Sequence, residues 1–221
     1  MTPASIWSEL SNLLDLLTAS DLVLVPNPVR KIWDRRHLRV TAQGGQEYSP
    51  VVVLPFASVV EYRTFVEQGL FSCILMDGAL IHISYDFDGD ELVRHKLLYY
   101  PCPYILPPEL LREEPLLDVL EYVSSCGSGD LRLRSPLRFD YDPLNAKEHH
   151  AHSHLHLVSE DCRWPVVGPV SIGRFIDYVF RHFYFSLWRR FRFLRDWSKG
   201  KVTRTLLDTQ SDGLHVAFRI A

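Results

Sequence analysis

The stretch from Phe71 to Tyr100, "FSCILMDGALIHISYDFDGDELVRHKLLYY", constrains the fold more than any other. Three strand-like runs, "FSCILM", "ALIHISYDF" and "ELVRHKLLYY", are separated by Asp77-Gly78 and by Asp88-Gly89-Asp90. Asp-Gly pairs supply the positive φ that tight hairpin turns need, so neighbouring runs are expected to pair antiparallel as a β-meander. In the middle run Ala79, Ile81, Ile83, Tyr85 and Phe87 alternate with Leu80, His82, Ser84 and Asp86. Successive side chains on a strand point to opposite faces, so the first set forms the more apolar face and is expected to meet helices. The Asp77-Gly78 pair is accounted for by the hairpin alone.

Those helices come from both ends of the chain. Thr2 followed by Pro3 reads as an N-cap with proline in the first turn, and Ile6, Leu10, Leu13, Leu14 and Leu17 recur at helical spacing. "DLVLVPNPVRKIWDRRHLRV" mixes strand with turn, and "ASVVEYRTFVEQGL" reads as a second helix closed by Gly69. Beyond the meander, "PPELLREEPLLDVLEYVSS" is a helix interrupted near Pro115, and "CGSGD" is a short joint. "LRFDYDP" and "HSHLHLV" read as two further strands. "SIGRFIDYVFRHFYFSLWRRFRFLRDW" then carries a helical stripe for about seven turns, and "GLHVAFRI" reads as a last strand.

The expectation is a single α+β domain over residues 1–221: a helical N-terminal part over 1–70, a sheet with the candidate site over 71–165, and a long helix with a terminal strand over 166–221. Its sheet is antiparallel, a meander plus two further strands, packed with the N-terminal helices and a long basic-aromatic C-terminal helix. With 47% apolar and 23% charged residues, such a domain can bury its own core. The formal charge of −3 exerts no global pull on nucleic acid or an anionic membrane, so any anion binding is local. Cys73, Cys102, Cys126 and Cys162 lack the paired short spacing of a zinc ribbon or a redox motif and read as buried reduced thiols. "MTPASIWSELSNLLDLL" lacks a basic n-region and no apolar run reaches the length of a membrane span, so the expected compartment is the cytoplasm.

Five of the ten histidines fall between His149 and His156. If residues 150 to 156 are extended, His150, His152, His154 and His156 share one face, roughly 6.5 to 7 Å apart. Adjacent members such as His154 and His156 can share one ion, with a neighbouring carboxylate as third ligand and one position left open. His150, His154, His156 and Asp142 are thus candidate ligands for one divalent metal. Imidazoles titrating near neutral pH suit acid–base chemistry equally, and a crowded but inert strand is the third reading. In "RFDYDP", Arg138, Asp140 and Asp142 alternate with Leu137, Phe139 and Tyr141, so a strand places the arginine and both carboxylates on one side. That trio can hold a hard cation, orient a histidine or neutralise a phosphate; the alternative is an exposed ion-pair face.

On the C-terminal helix, Ile172, Phe175, Ile176, Val179, Phe183, Leu187 and Leu194 share one face. Arg174, Tyr178, Arg181, Phe185, Trp188 and Arg192 lie opposite. Arginines interleaved with aromatics suit single-stranded nucleic acid, a protein partner, or burial on both sides of the helix.

"MDGALIHISYDFDGDELVRHKLLYYPCP", "LRFDYDP", "HHAHSHLHL" and "CRWPVVGPVSIGRFIDYVFRHFY", in that order, resemble the bacterial family called domain of unknown function 2290, from about Phe71 to Tyr184. His150, His154 and Arg163 fit its pattern, whereas Ala151 stands where members tend to carry proline. The order of Asp77-Gly78, Arg138, Asp140 and His150 to His156 is also similar to that in TumE-type toxins of toxin–antitoxin modules. This chain is much longer than those toxins.

The resemblance implies an effector of a toxin–antitoxin or antiphage module that cuts nucleic acid, with RNA favoured. His154 or His156 is then expected to take the proton of the ribose 2′-OH while the other protonates the leaving oxygen. Arg138 or Arg163 stabilises the phosphorane and Asp140 orients a histidine. With a divalent ion, Asp140, Asp142 and the histidines become ligands. The competing expectation is a non-enzymatic sensor or partner subunit that presents the Arg174 to Arg192 face to an antitoxin, another defence subunit or a second copy.

Overall fold

The turns at Gly78 and Gly89 take positive φ, 84° and 58°. They join β4 (Cys73–Leu75), β5 (Leu80–Asp88) and β6 (Glu91–Tyr100) into the expected antiparallel meander. From β6 the sheet continues through β7 (Leu137–Tyr141), β8 (Ser153–Leu157) and β9 (Arg163–Pro165), each antiparallel to the last. The opposite edge of β5 is shared. β4 pairs with Leu80 and Ile81, while β3 (His37–Ala42) pairs with Ser84 to Phe87. β1 (Val23–Pro26) extends β4 and β2 (Val29–Asp34) extends β3. This computed structural model describes residues 1–34, 36–44, 58–125, 131–132, 134–147, 150–157, 159, 161–197, 200 and 203–218. Among them the sheet has nine strands, and the class is α+β.

The described part of residues 1–70 therefore contributes three strands besides α1 (Pro3–Ala19) and α2 (Val59–Glu67). Thr2 caps α1 by accepting from the Ser5 backbone, with Pro3 in the first turn. Ile6, Leu10, Leu13 and Leu17 of α1 pack on Ala79, Ile81, Ile83, Tyr85 and Phe87 of the meander, as the alternation requires. α5 (Ile172–Phe183) adds Phe175, Ile176, Val179 and Phe180 to the same core. Each such fully buried side chain stabilises the fold by roughly 1.5–3 kcal/mol before the entropy of ordering is subtracted.

The second face of the sheet is divided. At one end Leu80, Leu98 and Tyr100 are covered by Tyr62 and Phe65 of α2 and by Val119, Leu120 and Val123 of α4 (Leu116–Ser125). The interruption expected near Pro115 separates α4 from the short α3 (Leu110–Glu113). Towards the other end the same strands turn polar, and the face opens into a cleft.

The long C-terminal helix is corrected: the stretch is three helices, α5, α6 (Phe185–Arg190) and α7 (Arg192–Asp196). The chain leaves helical geometry at Tyr184 (φ −134°, ψ 50°) and at Phe191 (φ −100°, ψ 110°). A tertiary contact overrides the helical pattern at the first break. The Tyr184 hydroxyl lies 2.9 and 3.0 Å from the two Asp77 carboxylate oxygens and 3.2 Å from the Tyr99 hydroxyl. The breaks fold the stripe back over the sheet and bury Leu194, whereas Phe183, expected on the apolar face, is 47% exposed and packs on the Tyr99 ring. The last strand is also corrected. Val216 makes one isolated parallel bridge to Val166, after the short α8 (Asp208–Ser211). Cys73 and Cys102 are buried and Cys162 is partly so, all as free thiols; Cys126 lies outside the described residues.

The Tyr184 contact yields a stability test. Tyr184→Phe removes a hydroxyl bonded to a charged partner, a loss worth about 1.5–3 kcal/mol. Urea denaturation is expected to show a lower midpoint at unchanged slope.

Candidate active site

Pairing across the sheet sets the polar half-face in transverse rows. In the first, Ser84 of β5 stands opposite Lys96 of β6, Lys96 opposite Asp140 of β7, and Asp140 opposite His154 of β8. In the second, Leu98 of β6 separates His82 from Arg138, which stands opposite His156, itself opposite Arg163 of β9. Residues directly opposite on one face have Cβ atoms about 4.5–5.5 Å apart, so side chains along a row meet. The rows line a cleft of about 360 Å³. Its basic side chains are Arg39, Arg94, Lys96, Arg138 and Arg163, against the carboxylates of Asp140 and Asp142.

Asp140 is the hub. Its Oδ2 accepts from Arg138 Nε at 2.8 Å and lies 3.3 Å from His156 Nε2 and 3.9 Å from His154 Nε2. Burial alone would raise its pKa, but Arg138, His156 and Lys96 outweigh burial and hold the carboxyl well below the usual carboxylate range. His154 is 3% exposed, and its Nδ1 donates to the Ala151 carbonyl at 3.0 Å, which leaves Nε2 facing the cleft. Burial pushes the His154 pKa down to about 4, so at neutral pH its Nε2 carries a lone pair that can take a proton or bind a metal.

His150 reaches the same point by a different route from the expected extended strand. β8 begins only at Ser153, and His150 is instead held by an isolated antiparallel bridge to Lys147. His150 Nε2 thereby comes within 3.4 Å of His154 Nε2. The cleft-lining residues include His150, His154 and His156 but not His152. His149 lies outside the described residues.

The structure thus brings together Arg138, Asp140, Asp142, His150, His154, His156 and Arg163 in one cleft, and leaves out His152, which was expected on the same face. Asp142 has a separate engagement. Its carboxylate accepts from Asn145 Nδ2 at 2.8 Å, in the short 3-10 turn after β7. Among the described residues, the group with metal-ligating geometry is Asp140, His154 and His156, whose ligand atoms lie within 4.8 Å of one another. Asp77-Gly78 stands apart from the cleft, locked to Tyr184.

Sequence reasoning missed Arg39, His82, Arg94 and Lys96. Arg39 and Arg94 clamp Asp86: Arg39 bonds both of its oxygens, at 2.6 and 2.7 Å, and Arg94 Nε bonds one at 2.8 Å. Burial, then Lys96 and Arg39, push the His82 pKa down to about 3. The available signal was alternation: His82, Ser84 and Asp86 in β5, and Arg94 and Lys96 in β6, occupy the positions opposite in phase to the core residues.

The basic-aromatic line of Arg174 to Arg192 is divided by the helix breaks. Arg174 donates to the Gly200 carbonyl and lies over the Phe218 ring, and Tyr178 packs edge-on to Phe139. Arg181, Phe185 and Trp188 form a separate cluster, in which Phe185 stacks on Trp188 at 5.7 Å and Arg181 lies 5.4 Å from the Trp188 ring centre. Arg192 pairs with Asp196 on the exterior of α7.

Residues 25–218 match the family described as "Uncharacterized conserved protein (DUF2290)". The chain belongs to this family. The match takes in every strand from β2 to β9 and the whole cleft, so the DUF2290 assignment covers the candidate site entirely. No curated protein and no solved structure matches the chain. No helix among the described residues is long and apolar enough to cross a membrane.

Proposed function

We propose that the cleft binds and cleaves a phosphodiester, with single-stranded RNA as the favoured substrate, in keeping with an effector of a toxin–antitoxin or antiphage module. The observation that carries this reading is the pairing of Asp140 with His154, and of Arg138 with His156, inside a cleft of five basic side chains. Arg138, Arg163 and Lys96 bind the phosphate and offset charge that develops on its oxygens. The imidazole and carboxylate cluster around Asp140 activates the nucleophile, since His154 enters neutral and hydrogen-bonded in one tautomer. The motif order that resembles TumE-type toxins supports the choice of RNA.

The test is binding and cleavage of a short unstructured RNA. Lys96→Glu combined with Arg163→Glu is expected to weaken binding and to flatten its salt dependence by about 0.7 in log–log slope for each phosphate no longer neutralised. Unchanged affinity and slope in that double variant would remove the polyanion reading.

A second reading, a non-enzymatic subunit acting through protein contacts, is favoured by one observation. Phe183 and Phe185 are 47% and 54% exposed, and Phe185 stacks on Trp188. An antitoxin, another defence subunit or a second copy then seats on this cluster, with Trp188 and Phe185 as its anchors. Light scattering of a Phe185→Ser variant distinguishes the two: this reading requires loss of a complex with RNA handling untouched.

A further inference from the structure

We propose that Asp140, His154 and His156, with His150 beside His154, form a binding site for one zinc-class divalent ion. The binding stands on geometry alone, and only the role of the ion in cleavage rests on the phosphodiester reading. Four-coordinate zinc holds nitrogen and oxygen ligands at about 2.0–2.2 Å, which sets neighbouring ligand atoms roughly 3.3–3.5 Å apart at a tetrahedral angle. His150 Nε2 and His154 Nε2 are 3.4 Å apart, and His156 Nε2 and Asp140 Oδ2 are 3.3 Å apart. His154 Nε2 lies 3.9 Å from Asp140 Oδ2, and Asp140, His154 and His156 each place a ligand atom within 4.8 Å of the other two, so these three surround one point and leave a fourth position open.

Three further features point to a ligand. His154 donates its Nδ1 proton to the Ala151 carbonyl, the orientation that metal-bound imidazoles adopt, and so aims a lone pair at the space between the rings. The Lys147–His150 bridge brings a second ring nitrogen to face that lone pair. Asp140 Oδ2, the oxygen nearest the imidazoles, also accepts from Arg138, while Oδ1 is buried and has no hydrogen-bond partner among the described residues, so the carboxylate as a whole keeps acceptor capacity for a cation. The surrounding positive charge is partly compensated before any ion arrives, since Arg39 and Arg94 share Asp86 and Arg138 rests on Asp140. Two imidazoles and one carboxylate, with a third imidazole close by, select zinc, cobalt or nickel over magnesium and calcium, which prefer all-oxygen sites. In the phosphodiester reading the ion polarises a phosphoryl oxygen that Arg163 and Lys96 also contact.

The experiment uses the full-length chain without a histidine tag, stripped with a chelator and titrated with Co²⁺ while visible absorption is recorded. The expected result is uptake of one equivalent with the intense bands of a tetrahedral site, and competition by Zn²⁺. His154→Ala is expected to weaken Co²⁺ binding by more than about 100-fold, because even outer-shell partners of a metal are worth 10–100-fold. Asp140→Asn, of nearly the same size, provides a second variant if His154→Ala fails to fold, and His152→Ala is the control that retains the ion. Absence of stoichiometric uptake by the wild-type chain overturns the proposal, as does uptake that is unchanged in both ligand variants. RNA cleavage that persists in chelator, with no Co²⁺ bound, overturns the ion and leaves the phosphodiester reading standing. Tight Co²⁺ binding by a chain that neither binds nor cleaves RNA does the reverse.

Discussion

His154→Ala is expected to lower the rate of RNA cleavage by about 10² to 10⁴, the usual cost of removing a positioned proton-transfer group. The side chain is 3% exposed and touches the cleft through Nε2, so its loss acts on the chemistry at the Asp140 hub. Removal of a ring this size also leaves a polar gap that water can fill, which limits the effect on stability. The measurement is single-turnover cleavage of a short RNA, alongside a thermal melt to show that the variant is folded. In cells, induced wild-type chain is expected to slow growth and the variant to relieve that effect. A folded variant that retains full cleavage would exclude His154 from the reaction.

Asp86→Ala is expected to be the most damaging substitution for the fold, at about 3–5 kcal/mol, the cost of leaving a buried charge without its partner. Asp86 is 3% exposed and Arg39 is 8% exposed, and Arg39 bonds both carboxylate oxygens. The same clamp gives a pH dependence. Burial favours the protonated acid, but Arg39 and Arg94 together outweigh it and lower the Asp86 pKa. A depressed carboxylate stabilises the fold above its unfolded value, about 3.9, and that contribution is lost as pH falls through the folded value. Acid titration of unfolding below about pH 4 is therefore expected to be steeper in the wild type than in Asp86→Asn. Equal slopes would show that the clamp contributes no linkage.

How far the sequence speaks for the structure depends on the range of the interaction. The Asp-Gly turns and Pro115 act on adjacent residues, and the elements they define stand where expected. The faces of β7 and β8 follow from a two-residue period, which is why Arg138, Asp140, His154 and His156 fall on one side whatever strands they pair with. Contacts between distant segments are not legible in the same way. β3 inserts beside β5, with Arg39 opposite Asp86, a partner 47 residues away that no local pattern announces. The break at Tyr184 depends on Asp77, 107 residues earlier, and the apolar stripe runs through it without interruption. An extended strand would carry His150 into the cluster, yet it arrives through a bridge to Lys147. The chemistry of the cleft is a matter of which charges converge, and Arg39, Arg94 and Lys96 sit on strands whose role shows in the sequence only as alternation.

The transverse rows also govern when the cleft can exist. Each row begins in the first hundred residues, but His150, His154, His156 and Arg163 all lie in the last third of the chain, and the α5 layer that supports β7 from behind comes later still. The β5–β6 hairpin closes over a short loop and can form while synthesis continues at about 5–20 residues per second. A nascent chain halted before residue 150 therefore holds a nucleus and half a basic floor, without His150, His154 and His156 beside Asp140. If the cleft acts as proposed, products truncated before these residues are expected to be inert however well their hairpin folds.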